Sequence, residues 1–314
     1  MARTADDSWD IASGVGATAV MVALARAAET ASANPLIQDP YAELLVSADE
    51  LEHVRAQAAA DWNGPASDSA TTSNPNPTHR QNMINYQAVR THFFDAYLLD
   101  ASAAGIHQVV NLAAGLDSRA YRLQWAPATI IFEIDLPKVL EYKATTLARH
   151  GVSPTADLRP VAADLRHNWP QTLRDSGFDV SRPAVWLAEG LMPFLPAKAH
   201  STMFTAIDQL SRAGSRAAVE IFGVDGEAKR PQNKLTSENT SASRQRHVSA
   251  SGFDTSSLWF DDEGRPDCAE WFATHQWTTN ITGARQEAVR LGRAPRTHRR
   301  PFTYRFVTAT KSQQ

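Results

Sequence analysis

One cysteine, Cys268, is all the thiol that 314 residues contain. A single thiol closes no internal disulfide and builds no cysteine zinc site, so disulfide scaffolds and zinc modules are excluded and a reducing, cytoplasmic setting is expected. Long apolar runs are missing as well. No stretch approaches the roughly 20 apolar residues that cross a bilayer, so no membrane association is expected. The apolar run 15–24 follows Asp6, Asp7 and Asp10 instead of a basic segment, and continues in helical register through Arg26 and Glu29. It reads as a packed helix, not a targeting sequence. Charge of one sign is also lacking. Lys and Arg total 31 against 34 Asp and Glu, and a net charge of -3 gives no general attraction to nucleic acid. The ten histidines never fall into a His-Glu-x-x-His spacing, so no metal is expected. What remains has an ordinary globular composition, long enough for one large α/β core with additions.

Residues 17–31 are almost entirely helix formers, with Val20, Leu24 and Ala27 on one face. Asn34-Pro35 ends this first helix. Asp39-Pro40-Tyr41 supplies a cap and a first-turn proline for a second, expected to run to about residue 60. Residues 61–78, dominated by Ser, Thr, Asn, Pro and Gly, bury too little to order themselves and are expected to form a mobile loop. Helical spacing returns over 82–103 through Ile84, Val89, Phe93, Phe94 and Leu98, with Gly105 as the stop. From His107 onward, short β-branched runs alternate with helical stretches, the pattern of a parallel sheet with crossover helices. Strands are expected near 107–113, 129–134, 158–163, 184–189 and 215–222, and helices near 117–124, 138–150 and 197–212. The polar stretch 226–257 has no periodic apolar face and reads as an insertion after the fifth strand. Beyond it come a helix over 267–274, a strand over 276–281 and an antiparallel strand over 302–310, which completes seven strands. The division is a helical cap, 1–104, and a sheet domain, 105–314.

Chemistry concentrates where strands end. In Val109-Val110-Asn111-Leu112-Ala113-Ala114-Gly115-Leu116-Asp117-Ser118-Arg119 a buried strand runs out into small residues, which leaves backbone N–H groups open to a ligand. Packing alone produces such turns too. Ile130-Ile131-Phe132-Glu133-Ile134-Asp135-Leu136-Pro137 is an apolar strand ending in an aspartate, and Asp135 stands 20 residues after Gly115. At about that spacing an acid accepts hydrogen bonds from ribose hydroxyls, although Asp135 also suits a helix cap before Pro137. Asp164 follows the next apolar segment, and Glu189 ends Ala184-Val185-Trp186-Leu187-Ala188. Parallel strands that each end in an acid line these groups along one sheet edge, where open α/β folds bind ligands.

These pieces, with Asp7-Ser8-Trp9-Asp10, Val15-Gly16-Ala17-Thr18-Ala19, Asn34-Pro35-Leu36-Ile37-Gln38-Asp39-Pro40, Ala163-Asp164-Leu165-Arg166 and Ala188-Glu189-Gly190-Leu191, resemble the leucine carboxyl methyltransferase-like family of S-adenosyl-L-methionine-dependent methyltransferases. The resemblance implies a class I, Rossmann-like seven-stranded sheet, six strands parallel and one antiparallel, behind an N-terminal helical cap. It implies S-adenosyl-L-methionine as cofactor. Ala113 and Gly115 would line the cofactor loop, Asp135 with Leu136 beside it would hold the ribose, and Asp164 with the Leu165 backbone would read adenine. Glu189 would lie near the methionine moiety. Arg90, in Tyr86-Gln87-Ala88-Val89-Arg90, matches the arginine that the family turns toward the cofactor carboxylate, with Arg26 as a second contributor. One position departs: where the family usually has glycine after Asn-Leu, this chain has Ala113, which adds a methyl group beside the cofactor.

Methyl transfer is an in-line displacement in which the protein supplies orientation and desolvation. A carboxylate acceptor, which the resemblance suggests, is already ionised at neutral pH and needs no general base, and the sequence offers no base motif and no identifiable catalytic residue. The acceptor is expected to be a carboxylate or another small molecule. Two alternatives stand beside this reading: an NAD-dependent oxidoreductase, against which the loop lacks G-x-G-x-x-G, and a catalytically silent S-adenosylmethionine-binding module. Arg285, Arg290, Arg293, Arg296, Arg299 and Arg300 form a solvated run or meet an acidic substrate; without aromatic interleaving they do not indicate nucleic acid. Trp259, Phe260, Trp271 and Trp277 fill the core or line an apolar acceptor pocket. His79 is a candidate acceptor contact, and the segments 61–78 and 226–257 are candidate lids.

Overall fold

The computed structural model describes residues 9–63, 77–223, 258–260, 264–294 and 303–312. Most of the expected loop, the 226–257 insertion, Arg296, Arg299, Arg300 and the side chain of His79 lie outside the described residues.

Seven strands form one sheet: β1 Gln108–Leu112, β2 Ile130–Asp135, β3 Asp157–Ala162, β4 Val185–Ala188, β5 Arg216–Gly223, β6 Trp277–Gly283 and β7 Thr303–Lys311, in the order β3-β2-β1-β4-β5-β7-β6. Only β7 runs antiparallel to its neighbours. This is the seven-stranded arrangement, six strands parallel and one antiparallel, that the resemblance implies. The direction of strand addition reverses between β1 and β4, and such a switch point opens a crevice at the carboxyl ends of the strands.

Both faces of the sheet are covered, which is why its central strands are mostly apolar, with Asn111, Glu133 and Glu220 among the buried exceptions. On one face Val110, Phe132, Trp186 and Val219 meet Trp169 and Leu173 of α7 (Trp169–Asp175), Phe204 and Ile207 of α8 (Ala197–Leu210) and Phe272 of α9 (Cys268–Thr274). On the other, Val109, Ile131, Leu187 and Phe306 pack with α1 (Gly14–Thr30), α2 (Ala42–Val46), α3 (Glu52–Asn63), α4 (Pro77–Ala103), α6 (Pro137–Arg149) and α10 (Ala284–Arg290). The N-terminal helices therefore share one hydrophobic core with the sheet. Trp169 and Trp186, edge to face at 6.3 Å, are both buried, and truncating such a side chain to alanine costs about 3–5 kcal/mol. Pro160 sits in β3, the outer strand, where a missing N–H breaks no ladder.

Three expectations need correction. The second helix is not continuous: α2 ends at Val46, Ala48 turns extended (ψ 142°), and a single 3-10 turn, Asp49–Leu51, leads into α3. Arg55 Nη1 takes up the carbonyls this frees, at 2.6 Å from Val46 O and 2.7 Å from Ala48 O. Helix also reaches into both ends of the expected loop, because α3 continues to Asn63 and α4 starts at Pro77, a first-turn position that tolerates proline. The short helix after β1 is one turn only, α5, Arg119–Arg122.

Candidate cofactor and acceptor site

A cavity opens at the carboxyl ends of β1, β2, β3 and β4, with an empty volume of about 1100 Å³ including its solvent-filled mouth. Arg90, Ala113, Gly115, Asp135, Leu136, Asp164, Leu165 and Glu189 all line it, as does Arg26. The nine positions associated with the cofactor thus lie on one cavity.

The loop after β1 sets the floor. Ala113 has φ +58° and Gly115 φ +48°, both left-handed. Glycine adopts this conformation freely and alanine does not, which is the physical reason a glycine suits position 113. A Cβ on Gly115 would lie 3.2 Å from Ala19 Cβ, so α1 rests directly on the loop. Arg26 holds this contact: its Nε pairs with Asp39 at 2.8 Å and its Nη2 donates to Leu116 O at 2.6 Å.

Asp135 closes the side wall. Its carboxylate accepts the Gly115 N–H and the Leu136 N–H, each at 2.7 Å. Burial pushes its pKa above the ordinary aspartate value, an effect the two N–H donors only partly offset. Asp164 is the reverse. Burial raises it, but hydrogen bonds from the Arg166 side chain and N–H outweigh that and hold it low. The Arg166 guanidinium in turn lies over Trp9, 5.3 Å from the ring centroid, and both line the cavity.

At the far end stands a buried charge network that the sequence did not expose. Arg90 Nε lies 2.8 Å from Glu189 Oε1, Arg119 Nη1 lies 2.8 Å from Glu189 Oε2, and Arg119 continues to Asp117 at 2.5 Å and Asp95 at 2.6 Å. Arg122 pairs with Asp95 at 2.6 Å. Burial disfavours the Asp117 carboxylate, yet Arg119 and Lys143 beside it hold its pKa far below the usual range. Arg90 Nε meets Glu189 without hydrogen-bond geometry, and no described residue accepts from Arg90 Nη2. That end of the cavity therefore carries unspent donors. Single arginines scattered along a sequence give no hint of such pairing; the one available signal is Asp117-Ser118-Arg119, an acid and a base inside an otherwise apolar segment.

The model of the family described as leucine carboxyl methyltransferase matches residues 19–208. The chain belongs to that family. Two relatives, from Mycobacterium marinum (strain ATCC BAA-535 / M) and Mycobacterium ulcerans (strain Agy99), are each 59% identical over 316 residues, which is 99% of this chain and 100% of theirs, and each is named as a candidate S-adenosyl-L-methionine-dependent methyltransferase. A solved candidate methyltransferase from Thermobifida fusca YX is 16% identical with a TM-score of 0.49, covering 86% of this chain and 93% of its own, and adds nothing to the topology already described. The chain is thus an S-adenosyl-L-methionine-dependent methyltransferase of the leucine carboxyl methyltransferase family. The oxidoreductase alternative falls with that membership.

Other expectations resolve outside the cavity. Arg293 binds Glu29 at 2.8 Å and the Asn34 carbonyl at 2.5 Å, tying two distant chain segments together, whereas Arg290 pairs with Glu287 one turn back on its own helix and is exposed. Trp277 is buried with its Nε1 on Asp208, and Trp271 stacks on His275. Neither lines the cavity, whose aromatic walls are Trp9 and Phe194. Phe260 comes near through its N–H, 3.1 Å from Pro193 O. Among the described residues no acidic, histidine or cysteine cluster is arranged for a metal, and no helix is long and apolar enough to cross a membrane.

Proposed function

We propose that this cavity holds S-adenosyl-L-methionine along the strand ends and transfers its methyl group to a carboxylate oxygen of a small-molecule acceptor. Asp135 takes the ribose hydroxyls, Asp164 and the Leu165 backbone take adenine, Ala113 and Gly115 let the loop backbone approach, and Arg90 with Glu189 takes the amino-acid end. The unspent donors of Arg90 fit a ligand carboxylate there. When bound, the cofactor supplies a sulfonium methyl group open to in-line displacement. The chain's own part is orientation and exclusion of water: α1 closes over the loop, and Trp9, Phe194 and Leu195 wall the cavity.

One observation supports an acceptor that arrives as an anion. Among the described residues lining the cavity there is no histidine, lysine or tyrosine, and its four acids already receive hydrogen bonds or ion pairs from N–H groups and guanidinium groups. Among the described residues no group is set to remove a proton from an alcohol, phenol or ammonium acceptor, whereas a carboxylic acid is ionised before it binds. The test offers methyl-labelled cofactor with panels of small carboxylic acids, phenols and amines. Label should pass to carboxylic acids and be released by mild alkali, as methyl esters are; alkali-stable label on phenols or amines alone would contradict the proposal.

A further inference from the structure

Glu220 does not line the cavity, yet it holds one end of it from behind. It lies on β5 with 4% exposure. Its Oε2 accepts Arg90 Nη1 at 2.9 Å and the Gly190 N–H at 2.7 Å, while Oε1 accepts the Tyr86 hydroxyl. Tyr86 and Arg90 are one turn apart on α4, so two donors from a single helix face converge on one carboxylate. Tyr86 is itself fixed by its ring contact with Tyr304 of β7, at 4.6 Å between centroids. Gly190, the residue after Glu189, has φ +65°, and a Cβ there would lie 3.5 Å from Arg90 Nη1 and 4.0 Å from Glu220 Oε2. One buried acid thus sets both the guanidinium of Arg90 and the backbone step that carries Glu189.

We propose that Glu220 is a positioning residue for the amino-acid half of the cofactor: through Nη1 it fixes the direction in which Arg90 offers its remaining donors, and through the Gly190 N–H it fixes Glu189. This rests on the reading of that end of the cavity given above. A guanidinium is a planar fork, so fixing one edge aims the other. The role is specific to one half of the ligand, because the hydrogen bonds of Asp135 and Asp164 run to Gly115, Leu136 and Arg166 and not to Glu220 or its partners.

Isothermal titration with two ligands reads this out: S-adenosylhomocysteine, and 5′-methylthioadenosine, which keeps the nucleoside and sulfur but lacks the amino acid. Glu220→Gln should weaken S-adenosylhomocysteine about tenfold or more, the scale of one misdirected charge-assisted contact, and leave methylthioadenosine affinity unchanged. Tyr86→Phe, which removes one donor and keeps the acid, should shift only S-adenosylhomocysteine, by less, and serves if Glu220→Gln does not fold. Unchanged S-adenosylhomocysteine binding in both variants, or equal loss for both ligands, would overturn the proposal, the second outcome marking Glu220 as merely structural. Wild-type protein that binds neither ligand would instead overturn the reading of the cavity, and the proposal with it.

Discussion

Ala113→Gly and Ala114→Gly make a paired experiment on adjacent, identical residues in one loop. Ala113 is held at φ +58°, whereas Ala114 is absent from the left-handed region and only 5% exposed. Left-handed backbone costs a non-glycine residue about 1–2 kcal/mol. Glycine at position 113 removes that strain, and against the gain stand about 0.4–1 kcal/mol of added unfolded-chain entropy and a few tenths for a partly buried methyl group. The balance favours the glycine variant by about 0.5 kcal/mol. At position 114 no strain is relieved. The same entropy and a buried methyl worth about 0.8 kcal/mol both count against glycine, giving a loss of about 1–2 kcal/mol. Urea unfolding of both variants beside wild type measures the contrast, since a shift in midpoint at constant slope reports stability alone. The account requires Ala113→Gly to hold or raise the midpoint while Ala114→Gly lowers it. Equal losses at the two positions would refute the claim that Ala113 is strained.

Two further outcomes follow from buried charges. Lys143 is 1% exposed, with its Nζ 2.8 Å from Glu133 and 3.0 Å from the Asp117 carbonyl, so Lys143→Met strands a buried carboxylate and should cost about 3–5 kcal/mol in urea unfolding. Adding Glu133→Leu should recover much of that loss. Burial raises the Asp135 pKa, and if Asp135 holds the ribose as proposed, its hydroxyls would favour the ionised form, so S-adenosylhomocysteine affinity should be full above the folded value and fall as pH drops through it, beginning at higher pH than an exposed aspartate would give. Asp164, held low, stays ionised through that window. Titration calorimetry across the acidic range should show the fall in wild type and a flatter profile in Asp135→Asn.

The strands were legible because the sheet is buried on both faces, so β1, β2, β4 and β5 are apolar at most positions, and the acids at the end of β2 and just beyond β3 and β4 stand out against those runs. The break at Ala48 was not. Ser47-Ala48-Asp49 contains neither glycine nor proline, and what stabilises the turn is the Arg55 guanidinium on carbonyls 7 and 9 residues away. The same applies to the site. Gly115 and Asp135 are separated by a spacing that topology fixes, whereas Arg90 meets Glu220 across 130 residues, a pairing no local pattern encodes. Nor does an alanine announce a positive φ; only the family's glycine at that position hinted at it.

Titration of S-adenosylhomocysteine into wild-type protein and Asp135→Ala tests the central claim, that this cavity is the cofactor site and Asp135 holds the ribose. Each hydrogen bond to a charged acceptor contributes about 1.5–3 kcal/mol, so loss of the pair should weaken binding at least about 100-fold while the melting temperature without ligand shows an intact fold. Equal affinity in the two proteins would contradict the account.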